Sequence, residues 1–278
     1  MKQLSFLTAL LLTLVQPVQA DVLVLVHGYM ADARSWEASG VTATLASRGW
    51  QPAGVLTPTP NGIVSPVALS QAANKSYSVN LPAAAPLQVQ ATALARVLDV
   101  VRQQYPQERL VLAGHSAGGV VARMMLTGQN PYAVDTLVSI ASPHLGTGRA
   151  AQGLDLVDFN PFFCPGPGID FMKHALGGDE YDYLEHSRGA LIDLLPEASG
   201  NILAWLNRQP YPDIHYYAIV HTLPYESGDD IVPAYSQDMN NVPTLRGRVK
   251  TLYIPASHSL NPQDGILLAT LLAQQSRR

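Results

Sequence analysis

The 278 residues contain a single cysteine, Cys164. One thiol excludes an intramolecular disulfide and any zinc site built on cysteine pairs. Charge is also scarce: Asp, Glu, Lys and Arg make up 14% of the chain, against about 25% in typical soluble proteins. So few charges imply a large core or a partly apolar surface. The net charge is −4, and no Lys/Arg cluster interrupts the sequence, which removes the electrostatic basis for a nucleic-acid partner. EF-hand loops, His-Glu-x-x-His, Walker loops and repeats of solenoid period are all absent, so no motif calls for a metal or a cofactor.

What is present begins with a leader. Lys2 precedes an apolar stretch from Leu4 to Val15, and Val18-Gln19-Ala20 places small residues at the last and third-last positions. This pattern predicts a secretory signal peptide over residues 1–20, cut after Ala20, and hence a periplasmic or secreted protein. The stretch is short for a membrane span, and Pro17 interrupts it. Residues 21–278 suit one domain with a large core.

Asp21–Val26 reads Asp-Val-Leu-Val-Leu-Val, too short for a helix and suited to a parallel strand buried on both faces. A short strand is expected over 54–57, followed by a Pro-rich loop, and further buried strands over 109–113, 134–141, 214–220 and 249–254. Residues 35–47 suggest a helix, and 119–126 another. Leu87, Gln90, Ala91, Leu94, Val97, Leu98 and Val101 fall on one helical face with Pro86 at its start. A last helix begins with Asn261 as N-cap and Pro262 at N1, and is expected to bury Ile266, Leu267, Leu271 and Leu272. Alternating strands and helices predict an α/β fold with a mostly parallel central sheet covered by helices on both faces.

Between about residues 145 and 212 the alternation fails, and a cap or lid insertion is expected. Pro, Gly and aromatic residues fill its first half, with helical fragments over 189–195 and 201–207. Four of the five phenylalanines, Phe159, Phe162, Phe163 and Phe171, stand there together, around Cys164. They read equally as the cap's own small core or as a wall binding an acyl chain.

Gly114-His115-Ser116-Ala117-Gly118 stands between a predicted strand and a predicted helix. A serine hydroxyl attacks a carbonyl only when its oxygen is exposed and a base can take its proton, and a tight strand-to-helix turn supplies the exposure. Glycines two positions before and after the serine remove side chains that would collide with neighbouring backbone. A base is then required, with a carboxylate to fix its tautomer. His258 is the one histidine beyond the last plausible acid loop. The acid is sought in Asp229-Asp230-Ile231-Val232-Pro233, Asp229 first, with Asp230 and then Asp238 as alternatives. Ser116, the acid loop and His258 all follow predicted strands, where ligand sites of such sheets lie. His27, His115 and His144 read as supporting residues that bond nearby backbone.

On these residues the chain resembles the α/β-hydrolase superfamily, and within it the secreted bacterial lipases and esterases. His27-Gly28-Tyr29, the pentapeptide around Ser116, Ser142-Pro143-His144-x-Gly146, Asp229-x-Ile231-Val232-Pro233 and His258 carry the resemblance across almost all of residues 21–278. It implies an esterase or lipase in which Ser116, Asp229 and His258 cleave acyl esters through an acyl-enzyme, and a lipid substrate met by transient surface contact. It also implies that Tyr29 and Ala117 donate backbone N–H groups to the oxyanion, each worth roughly 3 kcal/mol. Lipases that carry a disulfide and depend on a folding partner have two cysteines, so that subgroup is disfavoured. Phospholipase, thioesterase, amidase and acyltransferase chemistry occur on the same fold, as does binding without turnover.

Overall fold

The computed structural model describes residues 20–65, 70–158 and 182–275. Residues 1–19 of the expected signal peptide, Cys164 and the four clustered phenylalanines lie outside the described residues.

Eight strands form one sheet: β1 (Asp21–Val26), β2 (Gln51–Thr59), β3 (Gly62–Val64), β4 (Asn74–Val79), β5 (Arg109–His115), β6 (Val134–Ile140), β7 (His215–Thr222) and β8 (Val249–Pro255). Their order is β3-β2-β4-β1-β5-β6-β7-β8. Every pairing is parallel except β2 with β3. Strand β1 lies near the middle, paired with β4 on one side and β5 on the other, and all six of its residues are buried. Its unbroken aliphatic run follows from that position, because helices cover both of its faces.

Side-chain alternation along β1 and β5 divides the core in two. Val22, Val24, Val26, Leu110 and Leu112 pack on one face with α3 (Leu87–Gln104) and α4 (Ala117–Met125). Leu23, Leu25, Val111 and Ala113 pack on the other with α1 (Ser35–Ala38), α2 (Val41–Ala46) and the final helix Pro262–Gln275. The seven buried positions of α3 are the seven read from helical spacing, with Pro86 as its N-cap.

Four local expectations need correction. The helix expected over 35–47 is two short helices, because Gly40 takes a left-handed conformation at φ 78° and ends the first. The loop expected after residue 57 contains β3 and β4. Asn-Lys-Ser-Tyr-Ser-Val has no aliphatic run, yet it forms the strand between β2 and β1. Strand β8 is an edge strand with much of its surface exposed rather than a buried one. In the final helix Ile266 faces solvent at 41% exposure, and Leu268 takes the buried place beside Leu271 and Leu272. Within 145–212, the described residues form helices α5 (Gly148–Asp158), α6 (Arg188–Asp193) and α7 (Ile202–Leu206). Asn201 caps α7 through a side-chain bond to the Ala204 N–H at 2.9 Å. Among the described residues no helix is long and apolar enough to cross a membrane.

Candidate active site

Strand β5 ends at His115 and α4 starts at Ala117, leaving Ser116 alone in the turn. Its backbone stands at φ 52° and ψ −130°, a strained conformation for a residue with a side chain. Two bonds hold it there: the Ser116 N–H donates to the Ile140 carbonyl of β6 at 2.9 Å, and the Gly119 N–H donates to the Ser116 carbonyl at 3.1 Å. The flanking glycines are sterically required. A β-carbon at Gly114 would come within 3.0 Å of Gly119 backbone, and one at Gly118 would strike the Val26 and His27 carbonyls. Gly119, not singled out in the sequence, is equally confined, because a β-carbon there would meet the Ser142 hydroxyl.

The loop after β8 carries His258 back over this turn. His258 Nε2 lies 2.9 Å from Ser116 Oγ, and His258 Nδ1 lies 2.9 Å from Asp229 Oδ2. With Asp229 ionised, Nδ1 carries the proton donated to the carboxylate, and the unprotonated Nε2 accepts from the serine hydroxyl. Proton transfer from Ser116 to His258 therefore needs no rearrangement, and the imidazolium that results faces a carboxylate.

Asp229 is the residue that reaches the ring, and its neighbour Asp230 has a different task. The Asp229 side chain is fully buried, and its Oδ1 accepts the Ile231 and Val232 N–H groups at 2.7 and 2.6 Å. Burial alone would raise its pKa. The His258 hydrogen bond and charge, with the Val232 and Ile231 N–H groups, outweigh burial and hold the carboxyl below its usual range. Asp230 Oδ1 instead accepts the backbone N–H of His258 at 2.8 Å. Asp238 bonds Asn240 and Thr251, apart from this relay. Gln237, which nothing in the sequence marked, is 1% exposed and donates to Asp229 Oδ2 at 3.1 Å while linking it to the backbone of His221 and Val232.

Tyr29 and Ala117 flank the serine. A β-carbon at Gly28 would come 2.8 Å from that of Ser116, so the chain leading into Tyr29 passes directly beside Ser116. Ala117 opens α4, where the first N–H groups have no partner within the helix. The Tyr29 side chain points elsewhere: its hydroxyl bonds Ser187, and its ring meets the edge of Tyr183 at 5.5 Å.

Two of the three supporting histidines, His27 and His115, bond backbone as expected, whereas the His144 ring bonds a side chain. His27 Nδ1 donates to the Gly28 carbonyl at 2.9 Å, and its Nε2 accepts the Leu81 N–H at 3.0 Å. His115 Nε2 donates to the His258 carbonyl at 2.8 Å. His144 Nε2 pairs with Ser139 Oγ at 2.6 Å. Burial lowers the pKa of all three; for His115, burial and then the nearby His258 bring it to about 3. A neutral His115 places no charge beside His258, whose ring centre is 5.2 Å away. Among the described residues no group of three or more His, Cys, Asp or Glu side chains is placed to hold a metal ion.

Comparison with known proteins places this arrangement in a wider fold. The PGAP1-like alpha/beta domain family matches residues 82–160, which span α3, β5, the Ser116 turn, α4 and β6. GPI inositol-deacylase B of Yarrowia lipolytica is 37% identical over 60 residues, covering 19% of this chain and 6% of that much longer protein. The mature lipase BlEst2 of Bacillus licheniformis superposes with a TM-score of 0.61 at 13% identity, covering 92% of each chain. The product of gene lin2722 of Listeria innocua gives a TM-score of 0.59 at 19% identity, over 91% of this chain and 94% of its own. The chain has the α/β-hydrolase fold. In this hydrolase fold Ser116, Asp229 and His258 each lie in the segment that follows a strand, β5, β7 and β8, and so meet at the carboxyl end of the sheet.

Proposed function

We propose that this chain is a serine hydrolase of carboxylic esters. Ser116 Oγ attacks the acyl carbon as His258 Nε2 takes its proton. The tetrahedral oxyanion is held by the backbone N–H groups of Tyr29 and Ala117. His258 then gives the proton to the leaving alcohol, and an acyl-Ser116 ester remains. Water, deprotonated by the same imidazole, releases the acid and restores the hydroxyl. Asp229 orients His258 and stabilises its charged form.

The observation that carries this reading is the unbroken relay of two 2.9 Å hydrogen bonds from Ser116 through His258 to Asp229. The strained turn at Ser116 supports it, because backbone strain is kept where a nucleophile has to be presented. Relatives named as a deacylase and a lipase favour an acyl ester, including a lipid, as the substrate class. We propose that Phe159, Phe162, Phe163 and Phe171, which lie outside the described residues, serve to bind the acyl chain, within a cap expected over about 145–212. Residues 1–20 serve as the export signal, which puts the enzyme outside the cytoplasm.

The test uses a fluorophosphonate probe and p-nitrophenyl esters of increasing chain length. The wild-type chain is expected to label once and to hydrolyse esters, and Ser116→Ala to lose labelling and at least about 10³-fold in kcat. Near-wild-type hydrolysis by Ser116→Ala would remove the mechanism. Labelling without turnover on esters, with turnover on thioesters or amides, would move the chain to another acyl chemistry.

A further inference from the structure

The loop that carries His258 runs between β8 and the final helix without regular structure, yet it must hold a ring nitrogen within hydrogen-bond reach of a serine on another strand. Its backbone is tied by side chains. His258 N–H is held by Asp230 and His258 C=O by His115, and the preceding carbonyl, Ser257 C=O, accepts from His221 Nδ1 at 2.7 Å. His221 lies in β7 and is fully buried. Its other nitrogen, Nε2, is 2.8 Å from Oδ1 of Asp264, a fully buried residue in the first turn of the final helix. Asp264 Oδ2 in turn accepts the Asn261 N–H at 2.9 Å, tying the far end of the same loop.

This second histidine–aspartate pair is no part of the relay. A carbonyl oxygen can only accept, so the Nδ1 proton is committed to Ser257, and Asp264 holds the opposite side of the ring in place. Buried ionic pairs are poor sources of stability, since desolvation offsets most of their attraction and an apolar pair would serve the core as well. What the pair supplies that an apolar pair would not is a directed bond to the residue adjoining His258.

Resting on the proposed triad, we propose that His221 is a positioning residue for His258: oriented by Asp264, it clamps the Ser257 carbonyl and so sets the distance from His258 Nε2 to Ser116. Loss of the clamp lets the loop shift. A displacement of an ångström at a reacting group costs on the order of 10²-fold in rate while leaving substrate binding intact.

The experiment compares His221→Leu, Asp264→Ala and Asp264→Asn with the wild-type chain for fluorophosphonate labelling rate, kcat and KM, each at a temperature where circular dichroism shows it folded. His221→Leu is expected to lower labelling and kcat by about 10- to 100-fold with KM unchanged. Asp264→Ala should cost less. Asp264→Asn should restore most of the rate, because its amide can donate to a neutral Nε2 and leave Nδ1–H on Ser257. If His221→Leu does not fold, the contrast between Ala and Asn at position 264 decides. Wild-type labelling rates in both His221→Leu and Asp264→Ala would overturn the clamp. A wild-type chain that neither labels nor hydrolyses would overturn the triad instead. The clamp is then judged from the proton NMR signal of His258 Nδ1–H: its loss in His221→Leu supports positioning, and its persistence unchanged overturns it.

Discussion

The two ends of the sheet bury polar groups in opposite ways. At the amino ends of the strands Asp21 and Arg109, the first residues of β1 and β5, form a two-pronged pair, with Nε to Oδ1 at 2.9 Å and Nη2 to Oδ2 at 2.5 Å. Beside them Lys75 of β4 pairs with Glu108 and lies 4.4 Å over the ring of Tyr105. At the carboxyl ends stand Ser116, Asp229 and His258, surrounded by His27, His115, His144 and His221. One end matches full opposite charges in fixed pairs, and the other gathers groups that share or exchange protons. Backbone strain gathers more at the carboxyl ends, since Met30, Ser116, Ala141 and Tyr225 take positive φ after strands β1, β5, β6 and β7, with Ala133 just before β6 the exception at the other end. Burial alone therefore does not mark a site; burial of groups that can change protonation beside a strained backbone does.

The strongest way to break this contrast is at the acid. Asp229→Asn should lower kcat by about 10³- to 10⁴-fold, because the amide offers His258 Nδ1 no stable acceptor and favours the wrong tautomer. Asp230→Asn keeps an oxygen for the His258 N–H and should stay within about threefold of wild type. Equal losses in steady-state assays of the two variants would erase the distinction between relay and support.

At the opposite end the expected effect is on stability alone. Arg109→Met removes the two-pronged ion pair to buried Asp21 and should cost about 3–5 kcal/mol in denaturant unfolding, with kcat of the folded protein unchanged. A fall in kcat at full folding would show that the two ends are coupled.

Acid sharpens the contrast further. His27, His115 and His144 have folded pKa values lowered by burial from the usual 6.5, so below that pH the unfolded chain binds more protons than the native one. Stability is thus lost as pH falls, by up to about 1.4 kcal/mol per pH unit for each histidine. Asp229, whose pKa is lowered, adds to the loss at still lower pH as its carboxylate protonates. His221 works in the other direction: burial lowers its pKa, but Asp264 outweighs burial and raises it, so its contribution is full in acid and fades as pH rises above 6.5. Urea midpoints at pH 7, 6 and 5 should fall progressively. A flat profile would mean that these rings protonate freely in the folded state.

Much of this arrangement could be read along the chain. Strand β1 and the stripe of α3 are local patterns, in which a continuous aliphatic run or a 3.6-residue period reports burial directly. Ser116 and its flanking glycines were legible because a steric demand acts within five residues. Strand β4 was not, since Lys75, Ser76 and Ser78 find burial through neighbours distant in sequence. Ile266 was misplaced because an apolar helix such as Pro262–Gln275 offers several stripes, and only packing against α2 and the sheet selects one.

The amino-acid order by itself determined the alternation of strands and helices, the turn at Ser116 and the choice of His258, because each depends on residues close together or on chain order. Tertiary structure decided between Asp229 and Asp230, recruited Gln237 and Gly119, and joined His221 to Asp264 and Ser257. Those outcomes depend on directions in space: adjacent carboxylates on one loop point to different partners, and a hydrogen bond forms only where folding brings donor and acceptor within about 3 Å of each other.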